Sequence, residues 1–253
     1  MSDLFLLSAA QMARISPFFP LSHGVPRVDD RRVISGIIYV IRHGLQWKDA
    51  PRGYGPHKTL YNRFVRWGRL GVFDRIFVAL AAQAGPPERI MIDSTHLKAH
   101  RAAASLPQRG ALPRCIGRTK CGLNSKLHAV CDAAGRPVDL MLSEGQLSDH
   151  RGARLLLPRF PAARELIADR GYDSDHFRAA LIERGIVPCI PSTRSRKVPH
   201  PYDVPLYRQR HRIEIMFGRL KDWRRIATRY DRCAHTFFAA ILIAAIVTFW
   251  LGQ

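Results

Sequence analysis

The chain has 253 residues, enough for one large core or for one core plus a small accessory domain. Forty Lys and Arg stand against twenty Asp and Glu, and the resulting charge of +20 far exceeds what solubility requires and points to a polyanionic partner. The basic residues are scattered along the chain instead of lying on one amphipathic helix, which favours nucleic acid over an anionic membrane surface. Five cysteines with no CxxC pair argue against a disulfide scaffold and fit a reducing cytoplasm. Near the start, Asp3 precedes a short apolar run that lacks a basic flank, so no secretory leader is expected.

Residues 31–43 place Val33, Ile34, Ile37, Ile38 and Ile41 at helical spacing, with Asp29 or Asp30 as cap and Gly44 as stop. After a Pro/Gly stretch at 50–56, residues 57–67 set Leu60, Phe64 and Trp67 inward and leave Lys58, Arg63, Arg66 and Arg69 outside. The pair reads as helix, turn, helix with a basic second face. An ordinary small helical bundle gives the same pattern, and the excess of twelve basic over five acidic residues through Gly85 is what turns it toward DNA. Gly85-Pro86-Pro87 reads as a linker closing a helical domain at 1–85.

Beyond the linker the pattern changes. Residues 89–93 form a short apolar strand ending in Asp93, 126–132 and 137–142 two strands around Ala134-Gly135, and 165–169 a strand ending in Asp169. Residues 150–157 and 174–184 fit helices, 186–190 a last strand, and 206–228 one long basic helix. This order predicts an α/β domain over 86–253, a mixed sheet with helices that pack over it at the end. The uncharged run 237–251 has Thr248 as its only polar side chain; at fifteen residues it is shorter than the roughly 20 that span a bilayer. It reads as a core helix, and no membrane partner is expected.

Carboxylates at the ends of apolar strands are costly unless something neutralises them. A divalent metal does so for Asp93 and Asp169, and Glu214 on the basic helix supplies a third acid. Two Mg²⁺ ions held by such a cluster activate a water or a DNA 3′-hydroxyl and stabilise the leaving oxygen, as phosphodiester cleavage and strand transfer require. Simpler roles exist: Asp93 can cap a turn onto Thr95, Asp169 can pair with Arg170, and Glu214 can neutralise its own helix beside Arg210 or Arg212. Asp132, Asp139, Glu144, Asp149 and Asp173 compete as ligands, and His96 and His100 permit a His-containing site. Cys115, Cys121, His128 and Cys131 match no common zinc spacing.

At Tyr207, Arg210, Glu214 and Lys221 the chain carries Tyr, two residues, Arg, three, Glu, six, Lys. With IDSTHLKAH, IADRGYDSD and the N-terminal DDRRVISGIIYVIRHGLQWKDAP, this resembles the DDE transposases of the bacterial insertion sequences numbered four and five, closer to five, over nearly the whole chain. The resemblance implies a ribonuclease-H-like catalytic core with Asp93, Asp169 and Glu214 as the metal-binding catalytic triad, served by two Mg²⁺ or, in substitution, Mn²⁺. It implies DNA-binding roles for Tyr207, Arg210 and Lys221, whose chemistry suits phosphate and base contacts. The N-terminal helices would then bind the terminal inverted repeats, with Lys58, Asn62, Arg63 and Arg66 as first contacts, and target DNA would be the second substrate. Pairing two ends makes self-association on DNA plausible. A nuclease that cuts without joining and a non-catalytic DNA-binding regulator are the rival readings.

Overall fold

Helix α1 (Ala9–Ile15) opens with a capping box: Ser8 Oγ accepts from the Gln11 N–H, and Gln11 Oε1 accepts from the Ser8 N–H. The computed structural model describes residues 4–21, 29–105 and 114–252. Helix α2 (Asp30–His43) starts and stops as the sequence predicts. Asp29 accepts from the Arg31 N–H at 2.9 Å, and Gly44, at φ 65°, ends the helix in the left-handed region. Gly36 on α2 lies beneath Tyr54, where a Cβ would stand 2.7 Å from the Tyr54 Cβ. On α3 (His57–Arg69) Leu60, Phe64 and Trp67 are buried, and Phe19 stacks on Trp67 with ring centroids 4.4 Å apart. Helix α4 (Val72–Ala82) adds Phe73, Ile76 and Phe77.

Contacts divide the chain into two units that are not contiguous in sequence: residues 1–80, 100–113 and 220–253 form one, and 81–99 with 114–219 the other. The second unit holds β1 (Arg89–Ala99), β2 (Gly117–Thr119), β3 (Gly122–Asp132), β4 (Pro137–Glu144), α6 (Asp149–Leu156), β5 (Glu165–Ile167), α7 (Asp175–Glu183) and β6 (Val187–Cys189); the short α5 (Arg101–Ala104) falls in the first. The sheet order is β2-β3-β1-β5-β6, with β4 also on β3. β3 runs antiparallel to β1, β2 and β4, whereas β5 is parallel to β1 and β6, so the sheet is mixed. Ile90, Ile92, Val130, Leu156, Leu166, Phe177 and Leu181 share one core, where each fully buried aliphatic side chain contributes about 1.5–3 kcal/mol.

Two expectations need correction. β1 does not end at Asp93 but continues to Ala99, because pairing with β3 runs from Ile90↔Asp132 to Lys98↔Asn124 and satisfies the backbone of the polar stretch. Nor is 206–228 one helix: it comprises α8 (Val204–Tyr207), a 3₁₀ turn (Arg208–Arg210), α9 (His211–Lys221) and α10 (Arg224–Ala227). The second break falls at Trp223, which leaves helical geometry and donates from Nε1 to Thr248 Oγ1 at 3.1 Å.

Helix α11 (Ala234–Ala245) runs into a π-helical turn (Ile246–Trp250), and most of its apolar side chains are buried as the sequence predicts. It belongs to the same unit as the N-terminal helices, where Gly68 on α3 faces the Ala239 Cβ. The unit boundaries therefore place the last helices with residues 1–80, whereas the sequence drew one division at 85. No described helix is long and apolar enough to cross a membrane.

Candidate active site

Alternation along β1 sends Ile90 and Ile92 into the core beneath α6 and α7, and so directs Asp93 to the opposite face of the sheet. Asp93 Oδ1 accepts from the Ser94 N–H at 2.7 Å, and its Oδ2 accepts from Arg210 Nη1 at 3.0 Å. The same guanidinium donates through Nη2 to Glu214 Oε1 one turn further along, so Arg210 bridges the two acids. Asp169 stands two residues beyond β5 as the N-cap of the 3₁₀ turn Arg170–Tyr172 and accepts from the Gly171 N–H at 2.8 Å. It does not pair with Arg170 as the sequence allowed, and it lies within electrostatic reach of Asp93 and Arg210.

Electrostatics distinguish Asp93. Burial pushes its pKa up to about 6, the Asp169 and Asp149 carboxylates add to the rise, and the Ser94 N–H and Arg210 oppose it. For Arg210, burial works against the charge, but Asp93 and Glu214 outweigh it and hold its pKa above the ordinary value. Three carboxylates thus share one guanidinium, a surplus of negative charge that a hard divalent cation would relieve with oxygen ligands alone. Asp93, Asp169 and Glu214 are the acids that the sequence analysis names as its ligands. Among the described residues no three His, Cys, Asp or Glu side chains converge at metal-binding distance, and Arg210 occupies the place between Asp93 and Glu214.

On the other face of β1 lies a polar cluster that sequence reading left among the competing acids. Ser94 Oγ donates to Asp149, the first residue of α6, which also pairs with Lys126 Nζ at 2.8 Å. His128 is fully buried beside them, its Nε2 2.9 Å from Ser143 Oγ and its Nδ1 without a partner, while burial and Lys126 lower its pKa to about 4. The Ser148 cap of α6 was the sequence signal for this cluster, since it fixes Asp149 at the helix start. His96 is held by the Gly145 carbonyl at 3.0 Å.

Tyr207 ends α8 and meets Tyr202 edge-on with centroids 5.5 Å apart. Lys221 is the last residue of α9, half-buried, and burial lowers its pKa. Phe217 on the same helix is buried. On α3, Lys58, Asn62 and Arg66 are exposed, whereas Arg63 pairs with Asp30 at 3.3 Å and lies 5.6 Å from the Trp67 ring centre.

Comparisons with known proteins give the family of the chain. Residues 7–77 match the family model described as "Putative transposase of IS4/5 family", and residues 84–249 match "Transposase DDE domain". The chain is 35% identical over 135 residues to the "Putative transposase for insertion sequence element IS6501" of Brucella ovis, covering 51% of this chain and 99% of that protein. It is 29% identical over 192 residues to the "Putative transposase for insertion sequence element IS402" of Burkholderia cepacia, covering 72% of this chain and 86% of that protein. Among solved structures, a piggyBac transposase synaptic complex with hairpin DNA aligns with a TM-score of 0.52 at 11% identity, over 94% of this chain and 69% of that one. At that identity the likeness is one of fold, and it identifies the mixed sheet as a ribonuclease-H-like core.

Proposed function

This chain belongs to the DDE transposase family of the IS4/5 insertion sequences, and we propose that it binds the terminal inverted repeats of its own element and carries out strand cleavage and strand transfer with Asp93, Asp169 and Glu214 as its acids. One observation carries the assignment: Arg210 bridges the half-buried Asp93 carboxylate to Glu214, with Asp169 within electrostatic reach of Asp93. DDE transposase domains depend on divalent metal; here the three acids would hold two Mg²⁺ or, in substitution, Mn²⁺. When bound, such ions make a water or a 3′-hydroxyl nucleophilic and stabilise the leaving oxygen.

The protein's own side chains bind and orient. Arg210 exchanges the two carboxylates for a phosphate, which its forked N–H groups fit. Tyr207 stacks on or hydrogen-bonds to DNA near the scissile bond, and Lys221 meets a phosphate as a point charge. Lys58, Asn62 and Arg66 are the outward face of α3 and reach the repeat; Arg63, already paired with Asp30, contributes by holding that face in place. Two copies of the chain pair the two element ends, and the protein works on cytoplasmic DNA.

The test is cleavage of a labelled duplex carrying the gene's own flanking sequence, with Mg²⁺ or Mn²⁺, by wild type and by Asp93→Asn, Asp169→Asn and Glu214→Gln. Cuts at the repeat ends by wild type alone are expected, with binding largely kept in the variants. A variant that cuts normally removes its residue from the triad.

A further inference from the structure

Between β6 and α8 the chain runs without regular secondary structure through residues 190–202, yet hydrogen bonds tie it to α7 and the turn before it. Its anchor is Asp173, whose side chain is 0% exposed. Asp173 accepts from Arg178 Nε at 2.8 Å, from the Thr193 N–H at 2.7 Å and from Arg196 Nε at 3.0 Å. Arg178 in turn donates to the Ile190 carbonyl at 2.7 Å, Arg196 reaches Asp175 at 2.6 Å, and the His200 N–H donates to Ser192 Oγ at 2.8 Å. Burial opposes the charge on Asp173, but Arg196, the Thr193 N–H and Arg178 hold its pKa well below the ordinary carboxylate range.

Such a buried ion network is an expensive way to stabilise a fold, since apolar packing of equal volume does as well. What it supplies is shape. The loop it holds contains no acid and presents Arg194 and Lys197 outward, while Arg196, turned inward, is spent on the anchor. At the loop's end Tyr202 meets Tyr207, which joins the segment to the turn that carries Arg210. A long surface loop with fixed shape, uncompensated positive charge and a connection to the candidate active site is suited to bind a polyanion at little further cost in ordering.

We infer that residues 190–202 form a pre-shaped clamp for the phosphate backbone of duplex DNA, with Arg194 and Lys197 as the contacts and Asp173 with Arg196 as the positioning pair. The inference rests on the DNA-binding reading above and goes beyond it by naming a contact surface that the Tyr207, Arg210, Glu214, Lys221 signature does not include. The clamp reads no sequence: phosphate contacts give affinity and register only.

The full-length protein is titrated with a labelled duplex of arbitrary sequence over a range of salt concentrations, as wild type, as Arg194→Ala/Lys197→Ala and as Arg151→Ala/Arg154→Ala, an equal loss of exposed charge on α6. Each lost phosphate contact lowers the slope of log affinity against log salt by about 0.9, so the loop variant should lose about 1.8 and the α6 variant little. Asp173→Asn keeps both outward charges and should weaken binding with the slope unchanged; if it unfolds, Lys197→Glu, which should weaken binding further than Lys197→Ala, takes its place. An unchanged slope in the loop variant, or an equal fall in the α6 variant, overturns the clamp while leaving DNA binding intact. Failure of wild type to bind DNA at low salt would instead overturn the functional reading itself.

Discussion

Asp93 costs the metal-free fold stability. Its pKa stands near 6 against about 4 in an unfolded chain, so the folded state is favoured with Asp93 protonated, and that advantage is lost as pH rises through 6. Asp93→Asn, neutral at every pH, should therefore raise stability at pH 7.5 without divalent metal by about 1–2 kcal/mol while abolishing cleavage, which thermal melts and the cleavage assay check together. Arg210 offers the complementary experiment. Because it neutralises Asp93 and Glu214, Arg210→Gln should bind Mn²⁺ on the order of tenfold more tightly in the absence of DNA and yet lose affinity for DNA. Metal titration followed by calorimetry decides it: equal or weaker Mn²⁺ binding would show that the guanidinium does not compete with the cation.

At the scale of elements, what the sequence revealed and what it hid have separate causes. Helix α2 was legible from end to end, since both caps and the apolar stripe are local signals. The extension of β1 past Asp93 was not, because Ser94, Thr95 and His96 are polar and become strand only by pairing with β3, whose partner residues lie thirty or more positions away. The break at Trp223 was hidden for the same reason, as it depends on Thr248. In the candidate site, Asp93, Asp169 and Glu214 could be proposed from motif spacing, but the Arg210 bridge and the Asp149–Lys126 pair required the fold. That pair and its neighbour His128 give the sheet a pH response. Burial and Lys126 hold His128 near 4 against 6.5 unfolded, so its contribution is complete above about pH 7 and is lost as pH falls toward 4, by about 3 kcal/mol. Urea unfolding of His128→Gln should lack that part of the acid loss. Gly152→Ala should destabilise at every pH by about 2 kcal/mol or more, because its Cβ would stand 2.2 Å from His128 Nδ1.

For the whole molecule, the composition of the units matters more than their order in sequence. A division at residue 85 suggests that the N-terminal helices stand alone. The contacts instead give them α11 as a partner from the other end of the chain, with Gly68 set against Ala239. A fragment ending at residue 85 should therefore melt without cooperativity and bind a hydrophobic dye, whereas adding residues 220–253 in trans should restore a cooperative transition; circular dichroism reads both. A fragment that folds alone would show that α11 is dispensable to this core.

This arrangement has a consequence during synthesis. A ribosome delivers residues 1–80 first and α11 last, so the early helices wait for their final partner through the translation of the entire sheet unit. A copy of the gene interrupted by a stop codon at any point before α11 therefore yields a chain whose first helices lack that partner.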